Sequence, residues 1–268
     1  MYVRPTAPLS IGGVLDDSIR VYRASFSKCW VPSLLVAAVG GVFGIWMSYT
    51  LGVNPVGAGR AKALAALNLY RQPTVMGIYL LQWLLTTALY GALFVAQDGA
   101  TGGKVQGLGE AFGIGFARLG RSLLATVLFT VFLIVGFLLL LIPGFYVLGA
   151  FCLWPVALYV DDAGGTASLG ASYELTKGNW WRTSIILTVA VIIILVFTML
   201  VGLVIGIAVT GFRHDLAIAT LIIQLIAIVA NVFYLPMYTA VLISIYRDLK
   251  LRREGGDLAA KLGALPAN

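Results

Sequence analysis

The residue best suited to metal-assisted chemistry is the single histidine, His214, which stands between Arg213 and Asp215 in a short polar segment. Metal-dependent hydrolysis needs clustered histidines and carboxylates, as in an HExxH helix, and the sequence has no such cluster. A histidine in a charged turn is normally solvated. Cys29 and Cys152 stand in apolar sequence without a CxxC pair, so we predict no metal site, no disulfide and no cofactor.

Nucleophilic and acid-base catalysis are not indicated either. A serine hydrolase places its nucleophile in a GxSxG turn beside a base, and the chain contains no GxSxG. The serines near the ends of apolar stretches, expected to make helix contacts, are Ser48, Ser184 and Ser244. Four carboxylates fall in polar connections: Asp98, Asp161, Asp162 and Glu174. An enzyme acting on lipid headgroups through Asp161 and Asp162 would need a nucleophile or metal partner that the sequence lacks, so we expect no enzymatic activity.

Three amides stand inside apolar stretches: Gln82, Gln224 and Asn231. The last two are seven residues apart and therefore share one helix face, and Pro236 is expected to bend that helix nearby. A bent, polar helix could line a cavity, which favours a transporter or channel for a small or amphiphilic molecule. The same amides could instead make packing contacts between helices, worth about 0.6 kcal/mol each. Both interpretations stay open.

The elements that must position these residues are membrane-spanning helices. Of the 268 residues, 60% are hydrophobic and 11% charged, whereas soluble domains are about 45 to 50% apolar and about 25% charged. The apolar stretches are long enough to cross about 30 Å of hydrocarbon. The six predicted spans cover residues 30–53, 74–96, 122–142, 145–160, 182–210 and 216–246. The sequence therefore predicts an all-α polytopic membrane protein.

One apolar run, from Leu123 to Val160, is too long for one crossing and long enough for two. Pro143 and Gly144 interrupt it and predict a tight hairpin at that point. A re-entrant pair of segments that does not cross fully is the alternative.

The basic residues follow membrane topology rather than a nucleic-acid surface. The net charge is +7, but Lys and Arg lie beside the ends of the apolar stretches, so no nucleic-acid partner is expected. With the N-terminus taken as cytoplasmic, fourteen Lys and Arg residues fall inside and four outside. Both termini are therefore predicted to be cytoplasmic. Three domains follow: an N-terminal segment 1–28, a six-helix domain 29–246 and a C-terminal tail 247–268.

Each cytoplasmic segment is a short amphipathic stretch that runs into two spans. Residues 9–28 predict an interfacial amphipathic helix capped by Ser10, with Asp16, Asp17, Arg20 and Arg23 opposite its apolar side. The three junctions read FSKCWVPSLL, FARLGRSLLATVL and LTKGNWWRTSIIL. They predict three units, each an elbow helix followed by a transmembrane hairpin.

Two of the segments carry further signals. In the third junction, Gly178 is expected to interrupt the helix, and Trp180, Trp181 and Arg182 are expected to anchor at the membrane interface. The tail RDLKLRREGGDL has four basic and three acidic residues. Such a near-balanced segment suits an intramolecular clasp or a partner contact better than binding of anionic lipid.

Three stretches carry a resemblance to a known family: PLSIGGVLDDSIRVYRASF, IPGFYVLGAFCLWPVALYVDDAGGTASLGASYELTKGNWW and YRDLKLRREGGDL. They resemble the bacterial six-helix membrane proteins related to the glycerophosphoryl diester phosphodiesterase membrane domain. In the third stretch the matching positions are Tyr246, Asp248, Leu249, Arg253, Glu254, Gly255, Asp257 and Leu258. The resemblance implies the fold and a place in the bacterial inner membrane, not an activity.

Some relatives carry a catalytic barrel fused to this domain, and a barrel needs about 250 residues. Only 22 residues follow Tyr246, so we expect none here. Where the family often has glutamate after the fourth span, this chain has Asp161 and Asp162. The function expected is a non-catalytic module that binds phospholipid or a partner protein at its cytoplasmic face. Nothing in the sequence indicates the oligomeric state.

Overall fold

The fold is given by a computed structural model that describes residues 2–51, 71–104, 107–211 and 216–263. All regular secondary structure in these ranges is α-helical. The helices are α1 (Ile11–Leu51), α2 (Pro73–Ala100), α3 (Leu108–Ala117), α4 (Leu119–Leu139), α5 (Leu141–Phe151), α6 (Trp154–Tyr159), α7 (Gly165–Thr176), α8 (Trp180–Gly211) and α9 (Leu216–Gly263).

Six of the helical segments are long and apolar enough to cross a membrane, which confirms the number and order of the predicted spans. They are Ile11–Met47, Pro73–Ala100, Leu119–Leu139, Leu141–Tyr159, Trp180–Ile207 and Ile218–Gly255. Apolar side chains stay exposed along them, most of all on α8. A helix that is apolar on all sides is suited to lipid rather than to water, so the chain is built as a multi-pass membrane protein.

Helices that follow one another in the chain pack together, and the first and last helices also meet. α1 lies against α2, α4 against α5 and α8 against α9, while the most extensive contact joins α1 to α9. The short helices α3, α6 and α7 fill the spaces between these pairs at one end of the bundle. The largest fully buried apolar side chains include Leu153, Leu158, Ile186, Leu242 and Ile243. The tightest packing therefore lies beside the short helices.

The N-terminal amphipathic segment is not a separate element, because α1 runs without a break through Pro32 to Leu51. Ser10 caps it as predicted, since its Oγ accepts a hydrogen bond from the Gly13 N–H at 3.0 Å. The predicted apolar side is only partly right, because Ile19 is 41% exposed whereas Asp17 is buried at 5%. The buried side of α1 is therefore rotated from the predicted one.

The helical break in the long apolar run lies before Pro143 and Gly144, not at them. α4 ends at Leu139, and Leu140 is extended with φ −170° and ψ 159°. Pro143 and Gly144 lie in the first turn of α5, where proline is favoured because its missing N–H would have no helical partner. A Cβ on Gly136 would lie 3.0 Å from the Gly144 Cα, so both glycines permit the close approach of α4 and α5.

A second break divides the fourth span into α5 and α6, and hydroxyl groups of α7 complete its hydrogen bonding. The Leu153 N–H donates to Ser172 Oγ at 3.1 Å. Ser172 Oγ and Thr176 Oγ1 each donate to the Ala150 carbonyl at 3.0 Å. All of these groups are buried, and burial without such partners would be costly. α7 therefore holds the bend in place.

Gly178 ends α7 as predicted, with φ +80°, a backbone conformation that favours glycine. Replacing it by alanine should lower the free energy of unfolding by about 1 kcal/mol. Gly170, inside α7 with open space around its Cα, is the control, because alanine there should be neutral or stabilising. Unfolding in mixed micelles would measure both variants. Equal effects for Gly178→Ala and Gly170→Ala would contradict this account of the α7 terminus.

Candidate functional site

Polar side chains from six parts of the chain meet at one end of the bundle, here called the polar end. It is defined by the carboxylates Asp98, Asp161, Asp162 and Asp248 together with the cations that contact them. The contributing parts are the N-terminal residues, the end of α2, the start of α4, the segment after α6, the start of α8 and the last part of α9. The four segments predicted to share one side of the membrane thus share one end of the bundle.

Asp248 is the most completely enclosed of these carboxylates, with 3% of its surface exposed. Its Oδ1 accepts the Leu9 N–H at 2.7 Å, and its Oδ2 accepts Arg182 Nη2 and Arg252 Nε, each at 3.0 Å. Arg182 Nη2 also donates to the Leu9 carbonyl at 2.6 Å. The start of α8 and the end of α9 are therefore joined to the N-terminal segment through one carboxylate.

Asp98 forms a second cluster in the last turn of α2. Its Oδ1 accepts Arg247 Nη2 at 2.6 Å and Arg4 Nη2 at 2.8 Å. Arg247 Nη2 also donates to Thr101 Oγ1 at 2.8 Å, and Arg4 Nε donates to the Thr101 carbonyl at 2.6 Å. Two arginines far apart in sequence thus converge on one helix end.

Tyr2 connects this cluster to α1 through a hydrogen bond from its hydroxyl to Asp17 Oδ1 at 3.0 Å. Burial is the main reason that the pKa of Tyr2 is raised, to about 12, and the nearby Arg247 opposes that shift. The hydroxyl therefore stays protonated at neutral pH and can donate to Asp17. Asp17, predicted on the polar side of the amphipathic helix, is buried because it accepts this bond.

The adjacent Asp161 and Asp162 have different partners. Asp161 Oδ2 accepts Tyr246 OH at 2.8 Å and Lys250 Nζ at 2.6 Å. Asp162, with φ +58°, faces Arg118 Nη2 at 3.0 Å and Arg121 Nη1 at 3.1 Å. Both carboxylates therefore tie helices together. The Asp161–Lys250 and Arg182–Asp248 pairs show that the tail makes the intramolecular clasp, the first of its two predicted roles.

Other cations at this end face outward. Arg20 and Arg23 lie on the exposed side of α1, and Lys177 is exposed after α7; none forms an ion pair with a described residue. An exposed tryptophan accompanies each group, since Trp30 is 45% exposed and Trp181 is 75% exposed. Two exposed sites at the polar end thus combine unpaired positive charge with an indole ring.

The predicted interfacial anchors fall into different environments. Trp181 is exposed, while Trp180 is partly covered and its Nε1 donates to the Tyr146 carbonyl at 3.1 Å. The two indole rings meet edge to face, with centroids 4.8 Å apart. Arg182 points into the Asp248 cluster rather than outward. Of Trp180, Trp181 and Arg182, Trp181 is therefore the side chain that can contact lipid or water around the protein.

A buried polar network lies deeper in the bundle, around Gln97. Gln97 is fully buried and donates from Nε2 to the Pro236 carbonyl at 2.8 Å and to Ser25 Oγ at 3.1 Å. Thr239 Oγ1 donates a hydrogen bond to Gln97 Oε1. One side chain of α2 thus links α1 and α9 beside Pro236, the proline predicted to kink α9 and found inside it.

The three amides predicted to line a cavity have different neighbours. Gln82 lines an otherwise apolar groove of about 470 Å³ between α1 and α2, and neither Gln224 nor Asn231 lines it. Gln224 packs against Gly44 of α1, where a Cβ would come within 2.5 Å of its Nε2. Asn231 Nδ2 donates to the Ala227 carbonyl of its own helix at 2.8 Å. His214 lies outside the described residues.

Sequence reasoning missed Gln97, which the structure makes the central buried amide. The predicted span ended one residue before it, and the following Asp98 made the position look solvated. Polar residues on the partner helices, Ser25 and Thr239, could have indicated that Gln97 is buried, since a buried amide needs donors and acceptors nearby.

Comparison with known proteins gives one match. The sequence model of a family described as domain of unknown function DUF7847 matches residues 78–249. No curated protein and no solved structure matches the chain. The matched region begins within α2 and ends just after Asp248, so it contains Gln97 and the four carboxylates of the polar end. Because the match covers more than half of the chain, the protein belongs to the DUF7847 family, a domain of unknown function.

Proposed function

We propose that this protein is a non-catalytic membrane module that binds anionic phospholipid headgroups at its polar end. The observation that carries the proposal is the unpaired cation pair Arg20 and Arg23 on the exposed side of α1, with Trp30 on the same stripe. These positions are spaced by three and seven residues and so follow one helix face. Basic residues beside an indole ring are typical of a membrane interface.

The internal charge pairing supports this assignment. The carboxylates Asp98, Asp161, Asp162 and Asp248 are all occupied by cations of the protein itself. Arg20 and Arg23 form no ion pair with a described residue, and they outnumber Asp16, the exposed carboxylate on the same side of α1, so this face of the helix attracts anions. Each basic residue near an anionic surface contributes about 1 kcal/mol. Lys177 with Trp181 forms a second, smaller site of the same kind.

The proposal places the polar end in the cytoplasm, with both termini there, and the chain in the bacterial inner membrane. It is supported by the excess of Lys and Arg in the segments that form this end and by the resemblance to the phosphodiesterase-related membrane family. The N-terminal part of α1, together with α3 and α7, acts as the elbows of three hairpins. A protein partner at the same face is the alternative occupant.

The test compares two double variants with the same change in net charge. Arg20→Gln with Arg23→Gln should weaken phosphatidylglycerol binding about 30-fold, because about 2 kcal/mol is lost. Arg121→Gln with Arg253→Gln is the matched control, since both arginines are about half exposed but already pair with Asp162 and Glu174. Native mass spectrometry of the purified protein would measure phosphatidylglycerol and phosphatidylcholine occupancy.

The control variant should retain nearly all of its phosphatidylglycerol. Equal losses in the two double variants, or no preference of the unmodified protein for phosphatidylglycerol over phosphatidylcholine, would refute the proposal. Capture of a protein partner that depends on Arg20 and Arg23, without any lipid preference, would favour the alternative occupant.

A further inference from the structure

A cavity of about 260 Å³ lies among α2, α4, α6 and α9, away from the exposed face of α1. Its lining combines aromatic rings with hydroxyl groups. The residues around it are Trp83, Thr86, Thr87, Tyr90, Phe94, Ser122, Thr126, Trp154, Pro155, Tyr159 and Tyr238. None of them is charged, so the cavity suits an uncharged ligand.

Several hydrogen-bonding groups in this cavity have no partner among the described residues. The hydroxyls of Tyr90 and Tyr238 and the indole N–H of Trp154 make no hydrogen bond with them. Ser122 is 1% exposed, and its Oγ, which lies near the Tyr159 hydroxyl, has no hydrogen bond of normal geometry. Tyr90, Trp154 and Tyr238 are partly buried, and their polar groups face a mostly apolar surrounding, where an unpaired donor is costly.

The position of the cavity matches the acyl region of one leaflet. Tyr90 precedes Asp98 by eight residues of α2, and Tyr238 precedes Asp248 by ten residues of α9. At 1.5 Å per residue these positions lie about 12 to 15 Å from the polar end. Trp83 forms an exposed edge of the cavity, 38% exposed, so a ligand can enter sideways from the lipid phase.

We propose that this cavity binds the headgroup of an uncharged lipid that carries carbonyl oxygens. Three of the unpaired groups are donors, the hydroxyls of Tyr90 and Tyr238 and the indole N–H of Trp154. A carbonyl oxygen would supply the acceptor that they lack. Ligand sites are typically apolar concavities of about 300 to 1,000 Å³ with a few polar groups. At about 260 Å³ this cavity is slightly smaller, so it holds only the headgroup, and the chains of the lipid extend into the bilayer. A quinone ring and a diacylglycerol backbone share this chemistry.

The test uses decylubiquinone and dioctanoylglycerol as separate probes, with dodecane as the hydrocarbon control. Native mass spectrometry of the full chain in micelles would follow the occupancy of each. We expect at least one carbonyl-bearing probe to bind at one equivalent and dodecane not to bind. The double variant Tyr90→Phe with Tyr238→Phe should weaken that binding at least tenfold, because it removes two donors while keeping both rings.

Tyr22→Phe is the matched control, since Tyr22 lines a different groove. It should bind like the unmodified protein. Binding of decylubiquinone alone would identify the ring as the recognised group, and binding of dioctanoylglycerol alone would identify the glycerol esters. Binding of neither, binding of dodecane with equal occupancy, or binding unchanged in the double variant would overturn the proposal. Thermal unfolding of each variant shows whether the fold is intact.

This inference goes beyond the anionic-lipid site and can fail independently of it. Tyr90 and Tyr238 are remote in sequence from Arg20 and Arg23 and sit on other helices. The tyrosine double variant should therefore keep its preference for phosphatidylglycerol, and the arginine double variant should keep its binding of the uncharged probe. A variant that loses both would indicate misfolding and is recognised by its lowered unfolding temperature.

Discussion

Replacing Asp248 by asparagine is expected to lower the free energy of unfolding by about 3 kcal/mol. Asp248 is buried and accepts hydrogen bonds from Arg182, Arg252 and the Leu9 N–H. Asparagine keeps the shape but removes the charge, and its amide presents donors toward groups that are themselves donors. The positive charge of Arg182 is then left enclosed without compensation, which is the costly way to break a buried ion pair.

Asp162→Asn is the matched control for this prediction. Asp162 is also bound by two arginines, Arg118 and Arg121, but its side chain is 59% exposed. Solvent screens an exposed pair, so its loss should cost about 1 kcal/mol or less. Asparagine also tolerates the φ of +58° at this position, so no backbone strain is added.

Denaturant titration in mixed micelles would measure the free energy of unfolding of both variants. Limited proteolysis gives a second readout, because Asp248 holds the N-terminal segment through Leu9. Asp248→Asn should expose that segment to cleavage, and Asp162→Asn should not. A loss of stability no larger for Asp248→Asn than for Asp162→Asn would show that the enclosed cluster does not hold the helix ends together.

The spans could be predicted because lipid imposes one dominant requirement, an apolar stretch of sufficient length. That requirement is local in sequence and needs no knowledge of neighbours. The end of α7 could be predicted for a similar reason, since the left-handed backbone at Gly178 favours one residue type. Both features depend on the residue itself and not on what packs against it.

The features that sequence reasoning misplaced depend on partners. The buried side of α1 includes Asp17 because Tyr2, fifteen residues away, supplies a donor. The break before α5 falls at Leu140 because Pro143 is stable in a first helical turn and Gly136 lets the two helices approach. Hydrophobic periodicity indicates that a helix has a buried side, and proline and glycine indicate that a helix is interrupted. Contacts between helices decide which side is buried and at which residue the interruption falls.

The amides show the same limit most directly. Gln82, Gln224 and Asn231 were selected because they interrupt apolar sequence, and the groove lined by Gln82 includes neither Gln224 nor Asn231. The amide that joins three helices, Gln97, stands beside a charged residue near the end of α2. The sequence pattern of one helix does not show whether a polar residue will find hydrogen-bonding partners on the neighbouring helices.

Gln97→Leu is therefore expected to destabilise the protein by about 2 kcal/mol. Gln97 makes hydrogen bonds with Ser25, Thr239 and the Pro236 carbonyl, all of them buried. Hydrogen bonds between membrane helices contribute about 0.6 kcal/mol on average and up to about 1.7. Three bonds to one side chain give the expected total, and leucine also leaves the polar groups of α1 and α9 without their partner.

Gln82→Leu, the same substitution fifteen residues earlier in α2, is the control. Gln82 makes no hydrogen bond with a described residue and lines a groove that is otherwise apolar, so leucine there should leave stability unchanged or raise it slightly. Unfolding in mixed micelles would measure both variants. If the two substitutions had equal effects, Gln97 would not be the link between α1, α2 and α9. If Gln82→Leu instead abolished an export phenotype with stability intact, the groove beside Gln82 would carry a transported molecule.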